Sequence, residues 1–167
     1  VQTCALPIYQ MNTDVLAAGA QSIRNGADVF DVLHLVEAAL PYLRRISASS
    51  IIDLFATKYE FTKNDMMGGA LNGALESWLA TRDSDARELH ATLQGNLSDA
   101  TASLLGNAVV ALAKSDYAAA VDLAIGDARA ETPLQARVGV WTLGRLLLDE
   151  HAPAASIDVV TREIFDL

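Results

Sequence analysis

A few stretches of this sequence bring together residue types that could do chemistry. Gly68, Gly69 and Gly73 lie close together, and Gly68-x4-Gly73 has the glycine spacing of a phosphate-binding loop. Such a loop continues into Lys and Ser/Thr, which reach phosphate and magnesium. Here Ala74-Leu75 follow, so that chemistry is missing. Each glycine inside a helix costs about 1 kcal/mol relative to Ala. The expected compensation is close helix packing through Gly69-xxx-Gly73, or a hinge. Asp31, His34 and Glu37 stand three apart and could supply metal ligands. Yet Asp31 and His34 fall opposite the Val29/Val32/Val36 stripe, which predicts a solvated face. A bundle di-iron site needs Glu-x-x-His on two helices, and the chain has no such motif.

The other chemical candidates are weaker. His90 and His151 are isolated, and capping or solvation is expected of both. Asp149-Glu150-His151 falls at a helix end, where a protonated His would meet the negative end of the dipole. No Gly-x-Ser-x-Gly elbow occurs. Ser49, Ser84, Ser98, Ser115 and Ser156 are expected as helix caps. Arg44-Arg45-Ile46-Ser47 and Asn96-Leu97-Ser98 have the form of a kinase site and a glycosylation sequon, at helix junctions that want Asn and Ser for capping. Cys4 is the single cysteine and has no disulfide partner within the chain or zinc-site pattern around it. Trp78 and Trp141 read as core residues or, more sharply, as the lining of a partner-binding groove. The chain is therefore read as non-enzymatic, with no cofactor and no metal. Trp78, Trp141, Gly68, Gly69 and Gly73 are the candidate binding or hinge residues.

Composition bounds the partners. The chain has 167 residues, of which 51% are hydrophobic, so it has ample apolar surface for a core. Twelve Lys+Arg against 21 Asp+Glu give a net charge of −9, with no basic cluster beyond Arg44-Arg45. Nucleic acid is therefore not an expected partner, and a basic or neutral polypeptide is. The longest uncharged run, Ala100 to Ala113, is too short to cross a bilayer, which takes about 20 residues, and reads as a buried core helix. No membrane association is expected. No signal-peptide pattern is visible, and a cytoplasmic location is expected.

Apolar spacing and cap signals divide the chain into helices, and no segment alternates as a strand would. Expected helices run from Asp14 to Asn25, from Asp28 to Pro41, from Ser49 or Ser50 to a loop at Tyr59–Lys63, and from Asn64 to Thr81. Further helices run from Asp83 to Gly95, from Asp99 to Lys114 behind a Ser98 cap, and from Tyr117 to Ala130. The last two span Pro133 to Glu150 and Ser156 to Leu167. The fold class is all-α.

From Asn64 onward the helices pair. First members begin near Asp65, Asp99 and Pro133, about every 34 residues, as in helical-repeat proteins. They share a small-residue step at Leu71-Asn72-Gly73, Leu105-Gly106 and Leu143-Gly144. The steps around Gly106 and Gly144 resemble the Leu-Gly step of HEAT and tetratricopeptide repeats. Ser115 to Val121 resembles the start of a tetratricopeptide second helix. Gly106 to Tyr117 is too long for the tetratricopeptide pattern, so the resemblance favours HEAT. It implies antiparallel helix pairs stacked as a short α-solenoid over residues 64–167, continuous with the helices of 9–63, and a protein-binding, scaffold-type role. An irregular bundle is the alternative architecture. Alternative functions are a compact bundle binding a small molecule or metal near Gly68 and His34, and a dimerisation unit exposing Ile157, Val160 and Ile164.

Val1 to Ile8 (VQTCALPI) lacks periodicity and resembles the translation of a sequencing adaptor, GTT CAG ACG TGT GCT CTT CCG ATC. This implies an assembly scar on a gene from environmental DNA, truncated at its 5′ end.

Overall fold

The structure, a computed structural model, describes residues 15–63 and 69–166. The adaptor-like residues 1–8 and Gly68 lie outside the described residues. Every regular element among the described residues is helical: α1 (Val15–Arg24), α2 (Val29–Ala39), α3 (Ala48–Thr62), α4 (Gly69–Leu79), α5 (Asp83–Leu93), α6 (Ala102–Leu112), α7 (Tyr117–Ala128), α8 (Pro133–Leu147) and α9 (Ala154–Asp166). The chain forms two compact units, Val1–Ala74 and Leu75–Leu167, and the division falls within α4.

In the first unit, α1 packs on α2 and α3. Leu16, Ala20 and Ile23 of α1 meet a core that includes Val32, Leu33, Val36, Leu54 and Phe55. Each fully buried side chain of this size contributes about 1.5–3 kcal/mol. Asp28 caps α2 as expected, accepting hydrogen bonds from the Phe30 and Asp31 N–H groups at 2.9 and 3.1 Å. α3 departs from expectation at both ends. Ser47, rather than Ser49 or Ser50, caps it by accepting from the Ser50 N–H. The helix also runs through Tyr59–Thr62, expected as a loop, because no Gly or Pro interrupts its ladder; it stops at Lys63, which takes a left-handed conformation with φ 52°. Arg24 of α1 pairs with Asp53 and donates to Thr57 at 2.8 Å, joining α1 to α3.

The second unit is built around α6. Leu104 to Leu112 are all buried, as expected of a helix that is apolar on every side. α5, α7 and α8 pack against α6. α7 packs on α8, and α9 covers both. Elements therefore touch their next-but-one neighbours, α6 with α8 and α7 with α9, as well as their sequence neighbours. Several caps differ from expectation. Thr101 rather than Ser98 precedes α6, and the two hydroxyls bond each other at 3.0 Å. Asp116 caps α7 through the Ala119 N–H. Ser115 instead donates to Asp83 at 2.6 Å. Arg82 precedes α5, so Ser84 lies inside that helix, and Ser156 likewise lies inside α9. α8 begins at Pro133 as expected but closes at Leu147, three residues before Glu150.

Candidate partner-binding face on helix α8

α8 carries two faces of different character. Thr132 and Pro133 set its entry: the threonine is extended, and the proline occupies the first turn, where its missing N–H costs nothing. Gln135, Gly139, Thr142 and Leu146 recur at helical spacing and are buried. A Cβ built on Gly139 would lie 2.1 Å from the Ala128 backbone nitrogen, so α8 and the end of α7 approach to a distance that only glycine permits. Beside this crossing lies a buried polar junction. The Asp127 carboxylate meets His90 Nε2 at 2.8 Å and accepts from Gln135 Nε2 at 2.8 Å and Gln94 Nε2 at 3.3 Å. Both amides donate to Oδ1, and His90 Nε2 shares its hydrogen bond with Oδ2. The His90 and Asp127 side chains are 4% and 2% exposed. His90 is thus neither a cap nor a solvated residue; it ties α5 to α7, and its burial leaves no approach for a substrate.

The other face presents Arg137, Trp141 and Arg145 at i, i+4 and i+8, one above another. Trp141 is 48% exposed. Its inner edge is seated against α6, where a Cβ on Gly106 would come within 2.5 Å of the indole. Arg145 stacks over the same ring, 5.1 Å from its centroid. Arg145 is itself fixed by Glu76, at 3.1 and 3.4 Å, and by Asn107 Oδ1 at 3.2 Å. The consecutive residues Gly106 and Asn107 therefore act together: one makes room for the indole, the other holds the arginine that covers it. Beside Trp141 a groove of about 280 Å³ is lined by Ala102, Ser103, Arg137, Val138 and Trp141. Arg137 has no hydrogen-bond or ion-pair partner among the described residues.

The remaining candidates fall elsewhere. Trp78 is buried beneath the Arg82 guanidinium, which lies 4.1 Å from its ring centroid, so it is a core residue and not a groove wall. Gly69 and Gly73 are exposed, and a Cβ on either would meet nothing within 4 Å. The close packing expected of Gly69-xxx-Gly73 is therefore absent. The same holds at Gly144, so of the expected small-residue steps only Gly106 is a close approach, and Gly139 is one that the spacing did not mark. Asp31 and His34 are exposed and Glu37 is partly buried. Among the described residues no three His, Cys, Asp or Glu side chains gather as metal ligands.

On α9, Val160 is fully buried and Ile157 and Ile164 are partly covered, so these three do not form the exposed face expected of them, while Val159 and Phe165 of the same helix are exposed. His151 is exposed beside Asp149, whose carboxyl is held below its usual range first by the His151 backbone N–H and then by Lys114. No helix among the described residues is long and apolar enough to cross a membrane. Sequence reasoning missed Arg137 and Arg145, although a signal was there: they are the only charges on α8, both positive in a chain of net charge −9, and they flank Trp141 by four residues on either side. No family model matches the chain, and neither does any curated protein or solved structure.

Proposed function

We propose that the chain is a non-enzymatic helical-repeat module that binds another polypeptide, with the Trp141 face of α8 as its contact surface. The observation that carries this reading is a half-exposed tryptophan held rigid on both sides, by Gly106 and by Arg145, next to an apolar groove. An indole fixed in advance loses little conformational freedom on binding, and tryptophan and arginine dominate the energetics of protein interfaces. The next-but-one packing of α6 on α8 and α7 on α9 favours a HEAT-like stack, in which each helix pair leaves one face open for a partner. A scaffold or signalling protein in the cytoplasm, of which this chain is a part, belongs to the same reading, as does the absence of a nucleic-acid partner from so acidic a chain.

The test is to pan a phage-displayed library of random short peptides on the whole chain and on its Trp141→Ala variant. Enrichment of peptides by the parent chain and not by the variant is expected. No Trp141-dependent enrichment, together with thermal stabilisation of the chain by members of a metabolite panel, would overturn the reading in favour of a small-molecule bundle.

A further inference from the structure

The chemistry of the α8 groove says more than that a polypeptide binds there. We infer that it takes a segment presenting a large apolar side chain next to a carboxylate, the apolar group entering against Trp141 and Val138 and the carboxylate meeting Arg137. This rests on the binding role proposed for the α8 face.

The apolar half follows from size and lining. A groove of about 280 Å³ is larger than the about 150 Å³ in which benzene sits in an engineered protein cavity. It therefore has room for a Phe or Leu side chain. The indole supplies a flat wall and Val138 an aliphatic one. Neither wall rewards a hydroxyl or an amide, which would lose water without gaining a partner.

The acidic half follows from charge. No lining residue carries a carboxylate. Arg137 lines the almost wholly apolar groove with its aliphatic stem, and its exposed guanidinium lies beyond that lining, without a partner among the described residues. Arg145, the neighbouring cation, is already committed to Glu76 and Asn107. Arg137 is therefore the guanidinium left to form a two-pronged bond with an incoming carboxylate. The opposite wall, Ala102 and Ser103, opens α6, where the helix dipole is positive. That helix end would favour any anion; the apolar floor and Arg137 restrict the choice to a carboxylate with an apolar neighbour. The whole chain carries −9, which disfavours an acidic partner at long range. Salt screens that field beyond about 8 Å at physiological ionic strength, and the groove acts inside this distance. The inference thus differs from the basic or neutral partner that net charge alone suggests.

The test uses two blocked, fluorophore-labelled hexapeptides, one with a central Asp-Phe pair and one with Lys-Phe, titrated by anisotropy against the whole chain. The Asp-Phe peptide is expected to bind roughly tenfold more tightly, the worth of one charge-assisted contact. Arg137→Glu should reverse the order, while Arg137→Lys should keep it with reduced affinity. Trp141→Ala should weaken both peptides by roughly thirtyfold, with circular dichroism showing that the variant is folded. Equal affinities for the two peptides, or preference for Lys-Phe in the parent chain, would overturn the inference. If binding still depends on Trp141 in that case, the interaction face stands without its charge rule; if neither peptide nor any library member depends on Trp141, both fall together.

Discussion

The two faces of α8 are built with the same device and use it for opposite ends. On each, a glycine lets a neighbour approach more closely than any side chain would allow. At Gly139 the neighbour is the backbone of α7 at Asp127 and Ala128, and the approach seals a buried junction. At Gly106, on α6, the neighbour is the Trp141 ring, and the approach leaves the outer half of the indole in water. The buried face satisfies its polar groups within the chain: Asp127 is met by His90, Gln94 and Gln135. The outer face ends in a guanidinium, that of Arg137, with no partner among the described residues. A glycine at close approach is thus no sign of function by itself. What it brings close, backbone or a half-exposed ring, decides whether the result is a joint or a site.

The comparison predicts a steep contrast in stability. Replacing Asp127 by Ala takes away the buried partner of His90 and Gln135, and the part-buried one of Gln94, and is expected to cost about 1–3 kcal/mol for each buried group left unpaired. Replacing both His90 and Asp127 by Leu should recover the part of that loss that comes from an unpaired buried imidazole, while the part due to Gln135 remains. Urea denaturation of the parent, the single variant and the double variant measures both effects. A single-variant loss below about 1 kcal/mol would show that the junction is wet or loosely held.

The two glycines sharpen the contrast. Gly→Ala in a helix gains about 1 kcal/mol of propensity, and overpacking costs about 1–3 kcal/mol or more. At Gly139 the clash is with backbone, which cannot step aside, so Gly139→Ala is expected to destabilise by about 3 kcal/mol. At Gly106 the clash is with side chains, the Trp141 ring at 2.5 Å and the buried Thr142 hydroxyl at 2.9 Å, so Gly106→Ala should destabilise less than Gly139→Ala, by about 1–2 kcal/mol, because propensity offsets part of the strain. It should also push the indole outward, seen as a red shift of Trp141 fluorescence in a Trp78→Phe background. Equal destabilisation by the two substitutions, with no spectral change at Gly106, would erase the distinction between joint and site.

Much of the architecture was legible because periodicity is a local property. The Val29/Val32/Val36 stripe, the Asp28 cap and the helix start at Pro133 are set by residues within a turn or two of one another; all appear in the structure, though Val29 is only partly buried and the Thr132 side chain makes no capping bond. The uncharged run Ala100–Ala113 announced a core helix for the same reason. Cap choice was less legible: several hydroxyls near α3 and α6 compete, and only backbone geometry selects Ser47 and Thr101. The site was legible by half. Trp141 stood out as a residue type, but Trp78 looked equivalent until burial separated them. His90 could not be read because its partner, Asp127, is 37 residues away. The glycine series misled because spacing cannot tell Gly106, which has a ring above it, from Gly73 and Gly144, which face open space.

The smallest expected effect lies just beyond α8, at its exit, where polar groups are partnered yet still near water. Asp149 accepts from the His151 backbone N–H at 2.9 Å and from Lys114 Nζ at 2.9 Å, and these bonds hold its carboxyl below the ordinary value of 3.8. A lowered folded-state value means that the stabilisation is fully present above the unfolded value and is lost as pH falls through the folded one. Lys114→Met should therefore cost under about 1 kcal/mol at neutral pH, since the lysine is nearly half exposed and salt screens the pair. The difference in melting temperature between parent and variant should persist down to about pH 4 and close below it, as both chains come to carry a neutral Asp149. A gap that stays constant to the acid end of the titration would mean that Lys114 acts through its aliphatic stem, packing the exit of α8 in the manner of the buried face rather than pairing charge at its rim.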